Sequence, residues 1–219
     1  MKLSLSNGRF NPVYTYYGQM GEDKHIHTKY FPSLRNGVFV EMGALNGVKY
    51  SNTKFFEDTR NWSGVLIEPN PTAFAELRIN RPRSTCYQCA VSKTVGEIEF
   101  YANDAVGSVK KNTTEEFFNG WHKNHNIQII KVPSMRLDKL LHQAGVRFID
   151  FWSLDVEGSE YEALETMDWS IPVYIILIET QTPERKKQCD DILLTNGFIF
   201  EETVAHNELW INPNNKRSS

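Results

Sequence analysis

The chain has 219 residues, of which 40% are hydrophobic and 23% are charged. These values are typical of a globular protein that is long enough to bury a core without disulfides or metals. The 24 Lys and Arg residues against 27 Asp and Glu residues give a net charge of −3. This balance argues against a nucleic-acid binder or an anionic-membrane binder, because both need a basic surface.

Cysteine usage and hydropathy favour a soluble cytoplasmic protein. Three cysteines cannot form a complete disulfide set, and no stretch is apolar enough for a membrane span or a signal peptide. Cys86 and Cys89 have the spacing of a redox pair. However, segment 85–91 is predicted to be one strand, on which residues three apart face opposite sides. We therefore interpret both as ordinary strand cysteines.

Short apolar runs that end in acidic residues alternate with helical patterns along the chain. The runs lie at 38–41, 64–68, 148–155 and 173–179, and the helical patterns lie at 51–58, 71–80, 137–144, 159–167 and 183–196. Such runs are typical of strands buried in a parallel sheet, and their alternation with helices indicates βαβ units. Runs at 198–200 and 208–211 predict an antiparallel pair at the sheet edge. The prediction is an α/β fold that forms a single domain over 1–219.

Segment 103–132 interrupts this alternation. It contains the aromatic residues Phe117, Phe118 and Trp121, and aromatic residues make up 12% of the whole chain. A segment this long between core elements is typical of a functional lid or of a disordered loop, and the aromatic rings argue against disorder. We predict a substrate lid. Its rings, and those at 14–17, either stack on a sugar or pack the lid onto the domain, and the sequence leaves both open.

Glycines and acidic residues follow the predicted strands at the edge where open α/β sheets bind ligands. The turn from Glu41 to Gly47 joins the first strand to the first helix, and its glycines allow close approach of a ligand. Glu68 ends the second strand, in the place of a carboxylate that binds ribose hydroxyls. Glu41 would repel a pyrophosphate and attract a cationic amino-acid group. Together these residues favour S-adenosyl-L-methionine over a nicotinamide dinucleotide.

The chain resembles the FkbM family of S-adenosylmethionine-dependent methyltransferases over nearly its whole length. The matching segments are 18–23, 37–44, 46–47 with 50–53, 62–71, 137–141, and 150 with 153–160. The resemblance implies a class I methyltransferase fold. This is a Rossmann-like three-layer sandwich whose mostly parallel seven-stranded sheet has an antiparallel edge, here with an N-terminal helical cap at 1–36. The resemblance also implies O-methylation of a sugar hydroxyl in a glycan or glycoconjugate, with a deoxyhexose such as rhamnose or fucose as an example.

The resemblance also assigns cofactor-binding roles to individual residues. These are Gln19, Glu41, Gly43, Ala44, Gly47, Tyr50, Ser51, Asn52, Glu68, Pro69, Ala90 and Asp155. Among them, Glu68 would bind the ribose hydroxyls, Pro69 and Ala90 would border the adenine, and residues 50–52 would bind the cofactor carboxylate. Met42 and Leu45 depart from the family pattern, in which smaller or polar residues are common.

The proposed catalytic residues are Asp155, Glu157 and Glu179. A sugar hydroxyl is a poor nucleophile, so a base or a metal ion should assist it. Asp155 ends the fourth predicted strand and is the expected base, while Glu157 and Glu179 orient the substrate or share its charge. Asp155 and Glu179 could also hold Mg²⁺, but two carboxylates are too few to predict a metal site. The lid residues His122 and His125 are alternative bases.

Two other functions stay open at this stage. One is an NAD-dependent oxidoreductase on the same sheet, and the other is a non-catalytic cofactor-binding module of a larger assembly. Amino-group methylation is disfavoured, because segment 155–158 lacks the Pro-Pro-aromatic motif of such enzymes. The expected partner is a carbohydrate or glycoconjugate and not a nucleic acid, and the sequence does not predict an oligomeric state.

Overall fold

The computed structural model describes residues 2–6, 9–125 and 127–217. The strands are β1 (Lys2–Ser6), β2 (Arg9–Val13), β3 (Val38–Met42), β4 (Ser63–Ile67), β5 (Thr85–Tyr87), β6 (Ala90–Val91), β7 (Gly96–Ala102), β8 (Ser108–Val109), β9 (Gln128–Met135), β10 (Ile149–Leu154), β11 (Val173–Ile178), β12 (Ile199–Val204) and β13 (Asn207–Ile211). The helices are α1 (Glu22–Tyr30), α2 (Lys54–Arg60), α3 (Pro71–Asn80), α4 (Glu115–Phe117), α5 (Leu137–Gln143), α6 (Glu160–Glu165) and α7 (Pro183–Thr195). A π-helical turn, Phe118–His122, follows α4 directly.

The main sheet has seven strands in the order β12-β13-β11-β10-β3-β4-β5. Strands β11, β10, β3, β4 and β5 pair in parallel, whereas β13 runs antiparallel to both of its neighbours. This arrangement confirms the predicted α/β fold class, with its mostly parallel sheet and antiparallel edge. The chain builds outward from β3 in both directions, so strand order reverses between β3 and β10. Open α/β sheets bind ligands beside that point.

Helices cover both faces of the sheet, which gives three layers. One face packs against α5, α6 and α7 through residues such as Leu141, Leu164 and Leu193. The other packs against α1, α2 and α3 through residues such as Ile26, Phe56 and Leu77. Because both faces are covered, all six residues of β10 and all six of β11 are buried. This explains why those strands are continuous apolar runs in the sequence.

Capping side chains mark the start of two helices. At the start of α3, the side chain of Asn70 accepts a hydrogen bond from the backbone N–H of Thr72 at 3.0 Å, and Pro71 takes the first helical position. At the start of α7, Thr182 accepts from the backbone N–H of Arg185 at 3.2 Å. Both contacts satisfy N–H groups that lack a partner within the helix. None of the helices in the described ranges combines the length and the apolar character needed to cross a membrane.

Segment 85–91 is not one strand, so that prediction was wrong. Its first part, β5, is an edge strand of the main sheet, whereas β6 belongs to a second sheet of order β6-β9-β7-β8. The chain crosses between the sheets at residues 88 and 89. Cys86 and Cys89 contribute to cores on opposite faces of the main sheet, and both are free thiols. Burial raises the pKa of each thiol, that of Cys89 to about 12, which does not suit a redox pair.

The predicted lid is the end of a long hairpin. Strands β7 and β9 pair antiparallel from Gly96 with Ser134 to Ala102 with Gln128. The segment between them carries β8, α4 and the π-helical turn. The predicted cap at 1–36 contains the antiparallel pair β1–β2 as well as α1. The division of the chain into cap, domain and lid stays a prediction.

A buried ion network joins α3 to the segment that follows β3. Arg81, just after α3, is fully buried, and its Nε lies 2.7 Å from the carboxylate of Glu57 in α2. Its other nitrogens donate to the carbonyl oxygen of Gly47 and to the hydroxyls of Ser51 and Thr53, at 3.0 to 3.2 Å. A buried charge is tolerated only where partners satisfy it in this way.

We expect the change Arg81→Met to lower the free energy of unfolding by about 3 to 5 kcal/mol, because it leaves a buried carboxylate without its cation. Urea denaturation followed by circular dichroism measures the effect. The control is Arg78→Met, which changes an exposed residue of α3 and should alter stability by less than about 0.5 kcal/mol. Equal effects from the two variants would contradict a structural role for the network.

Candidate active site

The strand register places four predicted site residues in one row. Met42 of β3 pairs with Ile67 of β4 and with Leu154 of β10, and Leu154 pairs with Ile178 of β11. The residues that follow these strand ends are Gly43, Glu68, Asp155 and Glu179. They therefore meet at the carboxyl edge of the sheet, where the sequence predicted the site.

Two adjoining cavities open at this edge. The inner cavity has a volume of about 60 Å³ and lies between the ends of β4 and β10 and the second sheet. The outer cavity is a wider cleft of about 870 Å³ that reaches the lid and the turn between β12 and β13. Gly43, Asp155 and Glu157 line both cavities. The three residues therefore mark the junction at which two bound molecules would meet.

The inner cavity has a partly apolar wall and four carboxylates, those of Glu68, Asp104, Asp155 and Glu157. Ile67, Ala90, Val91 and Val109 form part of the wall, and Glu68 lies among them. Flat apolar walls suit an aromatic base. The predicted adenine neighbours Pro69 and Ala90 both line this cavity.

Glu68 is held in place by two backbone N–H groups. Its carboxylate oxygens accept hydrogen bonds from Leu45 at 2.9 Å and from Asn70 at 2.7 Å. Each oxygen has a second lone pair, so the carboxylate can still accept from both hydroxyls of a ribose. Burial raises the pKa of Glu68 to about 7, although the two N–H groups oppose this shift.

The turn after β3 requires glycine at position 43. Its backbone has φ +76, and a Cβ there would lie 1.9 Å from the carbonyl oxygen of Asp155. The N–H groups of Gly43 and Ala44 donate to the carbonyl oxygen of Ile67 at 3.1 and 3.2 Å. Leu45 and Tyr50 also have positive φ, 47° and 61°. This tight turn brings the chain ends of β3, β4 and β10 together.

Glu41 anchors the following segment instead of projecting freely into the cleft. Its carboxylate accepts hydrogen bonds from the hydroxyls of Ser51 and Thr53, at 2.8 and 2.7 Å, and from the backbone N–H of Asn52, at 2.7 Å. It still lines the outer cavity. An attraction to a cationic cofactor group stays a prediction, because these three donors already occupy much of the carboxylate.

The structure brings most of the predicted site residues to the two cavities. Those that line at least one of them are Gln19, Glu41, Gly43, Tyr50, Asn52, Glu68, Pro69, Ala90, Asp155, Glu157 and Glu179. Ala44, Gly47 and Ser51 line neither cavity. Ala44 is in the core, while Gly47 and Ser51 contact Arg81 behind the cavity wall. Their predicted contacts with the cofactor stay predictions.

The three predicted catalytic carboxylates form one electrostatic cluster. Burial raises the pKa of Asp155 well above its usual range, and the nearby Glu157 and Glu179 raise it further. Burial also raises the pKa of Glu157 to about 7 and raises that of Glu179. Glu157 has positive φ, 53°, and its carboxylate accepts a hydrogen bond from the amide of Gln181 at 2.6 Å. In the described residues, no three His, Cys, Asp or Glu side chains are arranged to hold one metal ion.

The lid contributes to both cavities. Asp104, Gly107 and Val109 line the inner cavity, whereas Phe117 and Trp121 line the outer one. The sequence predicted a substrate lid and gave no sign that lid residues also line the inner cavity. An ion pair of 2.7 Å between Lys49 and Asp104 joins the lid to the turn after β3.

The lid histidines do not line either cavity. His122 is buried within the lid, where its Nε2 lies 3.0 Å from the hydroxyl of Ser108 and its ring packs against Tyr101. Burial lowers its pKa. His206, in the turn between β12 and β13, does line the outer cavity. His206 and Gln181 were not among the predicted site residues, because neither belongs to a recognisable motif.

The family of the chain follows from its sequence. The sequence model of the methyltransferase FkbM domain matches residues 41–208. This range includes the row of strand-end residues, and Asp155 and Glu157, which line both cavities. The chain belongs to the FkbM methyltransferase family. No curated protein shows a significant match to the chain.

Several solved structures are similar to this FkbM domain at low sequence identity. Fibrillarin of Aeropyrum pernix in complex with S-adenosyl-L-methionine is 12% identical, with a TM-score of 0.48 over 96% of this chain and 80% of that chain. Precorrin-6y C5,15-methyltransferase of Geobacter metallireducens is 10% identical, with a TM-score of 0.45 over 90% and 91%. A TehB-like methyltransferase of Corynebacterium glutamicum is 9% identical, with a TM-score of 0.42 over 88% and 85%.

S-adenosyl-L-methionine is the cofactor of this FkbM domain, and the residues present fit it. The partly apolar inner cavity suits the adenine, and the buried Glu68 beside it suits the ribose. The buried Oδ1 atom of Asn52 has no hydrogen-bond partner among the described residues and lies on the outer cavity. It offers an acceptor to the amino-acid end of the cofactor.

We expect the affinity for adenosine to fall as the pH drops below about 7, because protonation of Glu68 removes acceptors for the ribose hydroxyls. The ionised carboxylate binds the diol, so binding is strongest above pH 7 and weakens toward pH 5. Isothermal titration calorimetry with adenosine isolates this contact from the sulfonium and amino-acid groups. Glu68→Gln should weaken binding about tenfold at pH 8 and flatten the pH dependence.

The matched control is Glu184→Gln, which changes an exposed carboxylate of α7 that lines neither cavity. It should keep both the affinity and its pH dependence. An unchanged pH dependence in Glu68→Gln would contradict the assignment of the ribose contact to this residue.

Proposed function

We propose that this methyltransferase transfers the methyl group of S-adenosyl-L-methionine to a hydroxyl of a sugar in a glycan or glycoconjugate. A deoxyhexose such as rhamnose or fucose is the proposed acceptor. The observation that carries this proposal is the position of Asp155, a half-buried residue whose carboxylate lines both cavities. A group at that junction can accept a proton from an acceptor in the outer cavity while the donor occupies the inner one.

Asp155 has the properties of a general base for a hydroxyl. Its backbone is fixed, because its N–H donates to the carbonyl oxygen of Met42 and its own carbonyl lies against Gly43. Burial and the neighbouring Glu157 and Glu179 raise its pKa, which makes the carboxylate a stronger base than an exposed aspartate. The bound cofactor supplies an activated methyl group, so this chain needs only to align the hydroxyl and to remove its proton.

The aromatic residues of the lid and of segment 14–17 divide into two groups, those that pack within the protein and those that line the outer cavity. Phe118 packs against Tyr101 and His122 within the lid, and Tyr16 packs against Phe55 of the core at 4.6 Å between ring centroids. By contrast, Trp121 lines the outer cavity and remains 53% exposed. An exposed flat ring on the wall of a cleft supports a role in stacking on a sugar.

The alternative functions receive less support. An NAD-dependent oxidoreductase would need a turn that accepts a pyrophosphate, whereas the carboxylate of Glu41 lies under this turn and would repel one. A non-catalytic module would not need three half-buried carboxylates, Asp155, Glu157 and Glu179, close together beside the cavities. Burying such groups costs stability unless they serve binding or chemistry.

We expect Asp155→Asn to keep the binding of S-adenosylhomocysteine and to reduce kcat by at least about 100-fold, because an amide cannot accept the hydroxyl proton. Calorimetry measures the binding, and methyl transfer to a panel of glycosides is followed by mass spectrometry. Asp191→Asn, an exposed change on α7, serves as the control with unchanged kcat. If the Asp155 variant turned over at the normal rate, the base assignment would be wrong.

We expect Trp121→Ala to raise the KM for the glycoside about tenfold and to leave cofactor affinity unchanged, because the sugar loses a stacking surface. Two further variants separate stacking from packing. Trp121→Phe keeps a flat ring and should retain most of the affinity, whereas Trp121→Leu keeps only apolar bulk and should resemble the alanine variant. A leucine variant with normal KM would show that the ring only packs the lid.

A further inference from the structure

The wall of the outer cavity is rich in groups that accept hydrogen bonds and carry negative charge. Its carboxylates are Glu22, Glu41, Glu116, Asp155, Glu157 and Glu179. They come from separate parts of the fold: α1, β3, the lid helix α4, and the loops after β10 and β11. The negative groups therefore surround a molecule in this cleft instead of facing it from one side.

Few cationic groups face the same space. Among the described residues on this wall, only Lys49 and His206 can carry a positive charge. The ammonium of Lys49 lies 2.7 Å from the carboxylate of Asp104. Lys49 therefore has an acidic partner within the protein and is not left over to pair with an anionic ligand.

One amide side chain on the wall also presents its oxygen. Gln181 donates its amide hydrogen to Glu157 at 2.6 Å. Its buried oxygen, Oε1, has no partner among the described residues. A buried acceptor without a partner costs stability, and a ligand that donates hydrogen bonds would satisfy it.

We propose that the outer cavity selects a sugar that is rich in hydroxyls and free of negative charge, and that it rejects sugars with a carboxylate or phosphate near the methylated hydroxyl. This inference rests on the proposed sugar methylation. Hydroxyls supply donors to these acceptors, whereas an anion would meet carboxylates on several sides of the cleft. The bound cofactor adds one net positive charge, which is fewer than the carboxylates present.

Glu116 is the residue on which this selection can be tested most directly. It lies in α4 of the lid, is exposed, and lines the outer cavity. Its neighbour Glu115 is in the same helix and is also exposed, but it lines neither cavity. The two positions therefore allow the same charge reversal to be made inside and outside the cleft wall. Neither carboxylate is buried, so both variants should fold.

The experiment compares two methyl glycosides that differ only at C6, a neutral hexoside and the corresponding hexuronide, as acceptors for the full chain. Methyl transfer is measured as kcat/KM by mass spectrometry. The wild type should prefer the neutral glycoside by at least about 50-fold. Glu116→Lys should reduce this preference roughly tenfold, because it replaces repulsion by attraction. Glu115→Lys should change the preference by less than about twofold.

The outcomes separate this inference from the proposed function. Equal kcat/KM for the two glycosides in the wild type would overturn the charge selection and leave sugar methylation standing. An equal change in preference from the two lysine variants would overturn the role of the cleft wall, because it would show a general charge effect. No transfer to any glycoside, with S-adenosylhomocysteine still bound, would overturn the proposed function and the inference together.

Discussion

The guanidinium of Arg81 contacts the segment that follows β3 on the side away from the cavities, and the geometry of the candidate site depends on this contact. It bonds to the carbonyl oxygen of Gly47 and to the hydroxyl of Ser51, and it pairs with the buried carboxylate of Glu57. Glu41 accepts a hydrogen bond from the same Ser51 hydroxyl, so the segment after β3 is fixed between a cation and an anion. Such a network is stable only when every member is satisfied. The strained backbone at Leu45 and Tyr50 is kept in place by this support, because the surrounding contacts allow no relaxed alternative.

On the cavity side of the same turn, the predicted catalytic carboxylates lack, among the described residues, the ion pairs that the carboxylates on the Arg81 side have. Behind the cavity wall the carboxylates of Glu41 and Glu57 are paired with Arg81. Beside the cavities, Asp155, Glu157 and Glu179 lie close to one another, and no described residue forms an ion pair with them. Their pKa values are raised because burial and mutual repulsion disfavour the charged forms. The buried cation Arg81 therefore stabilises the turn, and it does not neutralise the predicted catalytic carboxylates Asp155, Glu157 and Glu179. The sulfonium of a bound cofactor would bring positive charge to these carboxylates, so the same groups could serve cofactor binding and proton transfer in the proposed reaction.

Much of the fold was predictable from the sequence, and less of the site was. A continuous apolar run marked β11, and a largely apolar run marked β10, because helices bury both faces of these strands. The helical pattern at 71–80 predicted α3. The prediction of one strand over 85–91 was wrong, because no local sequence pattern shows that the chain passes from one sheet to another. Glu68 and Asp155 were identified since they directly follow strands. Gln181 and His206 were missed, because they reach the cleft through the placement of loops, which depends on tertiary packing rather than on spacing along the chain.

The charge balance of the proposed reaction explains why one cluster can carry both roles. Methyl transfer to a hydroxyl consumes the positive charge of the sulfonium and releases a proton. Asp155 lines the cavity of the donor and that of the acceptor, so the proton can stay on the cluster that had stabilised the sulfonium. The net charge of the junction is then the same before and after transfer, and no charge has to cross the buried interior. A histidine in the lid core, such as His122, could not do this, because its ring is bonded to Ser108 away from both cavities. In the proposed reaction, the carboxylates at the strand ends would therefore serve both cofactor binding and proton removal.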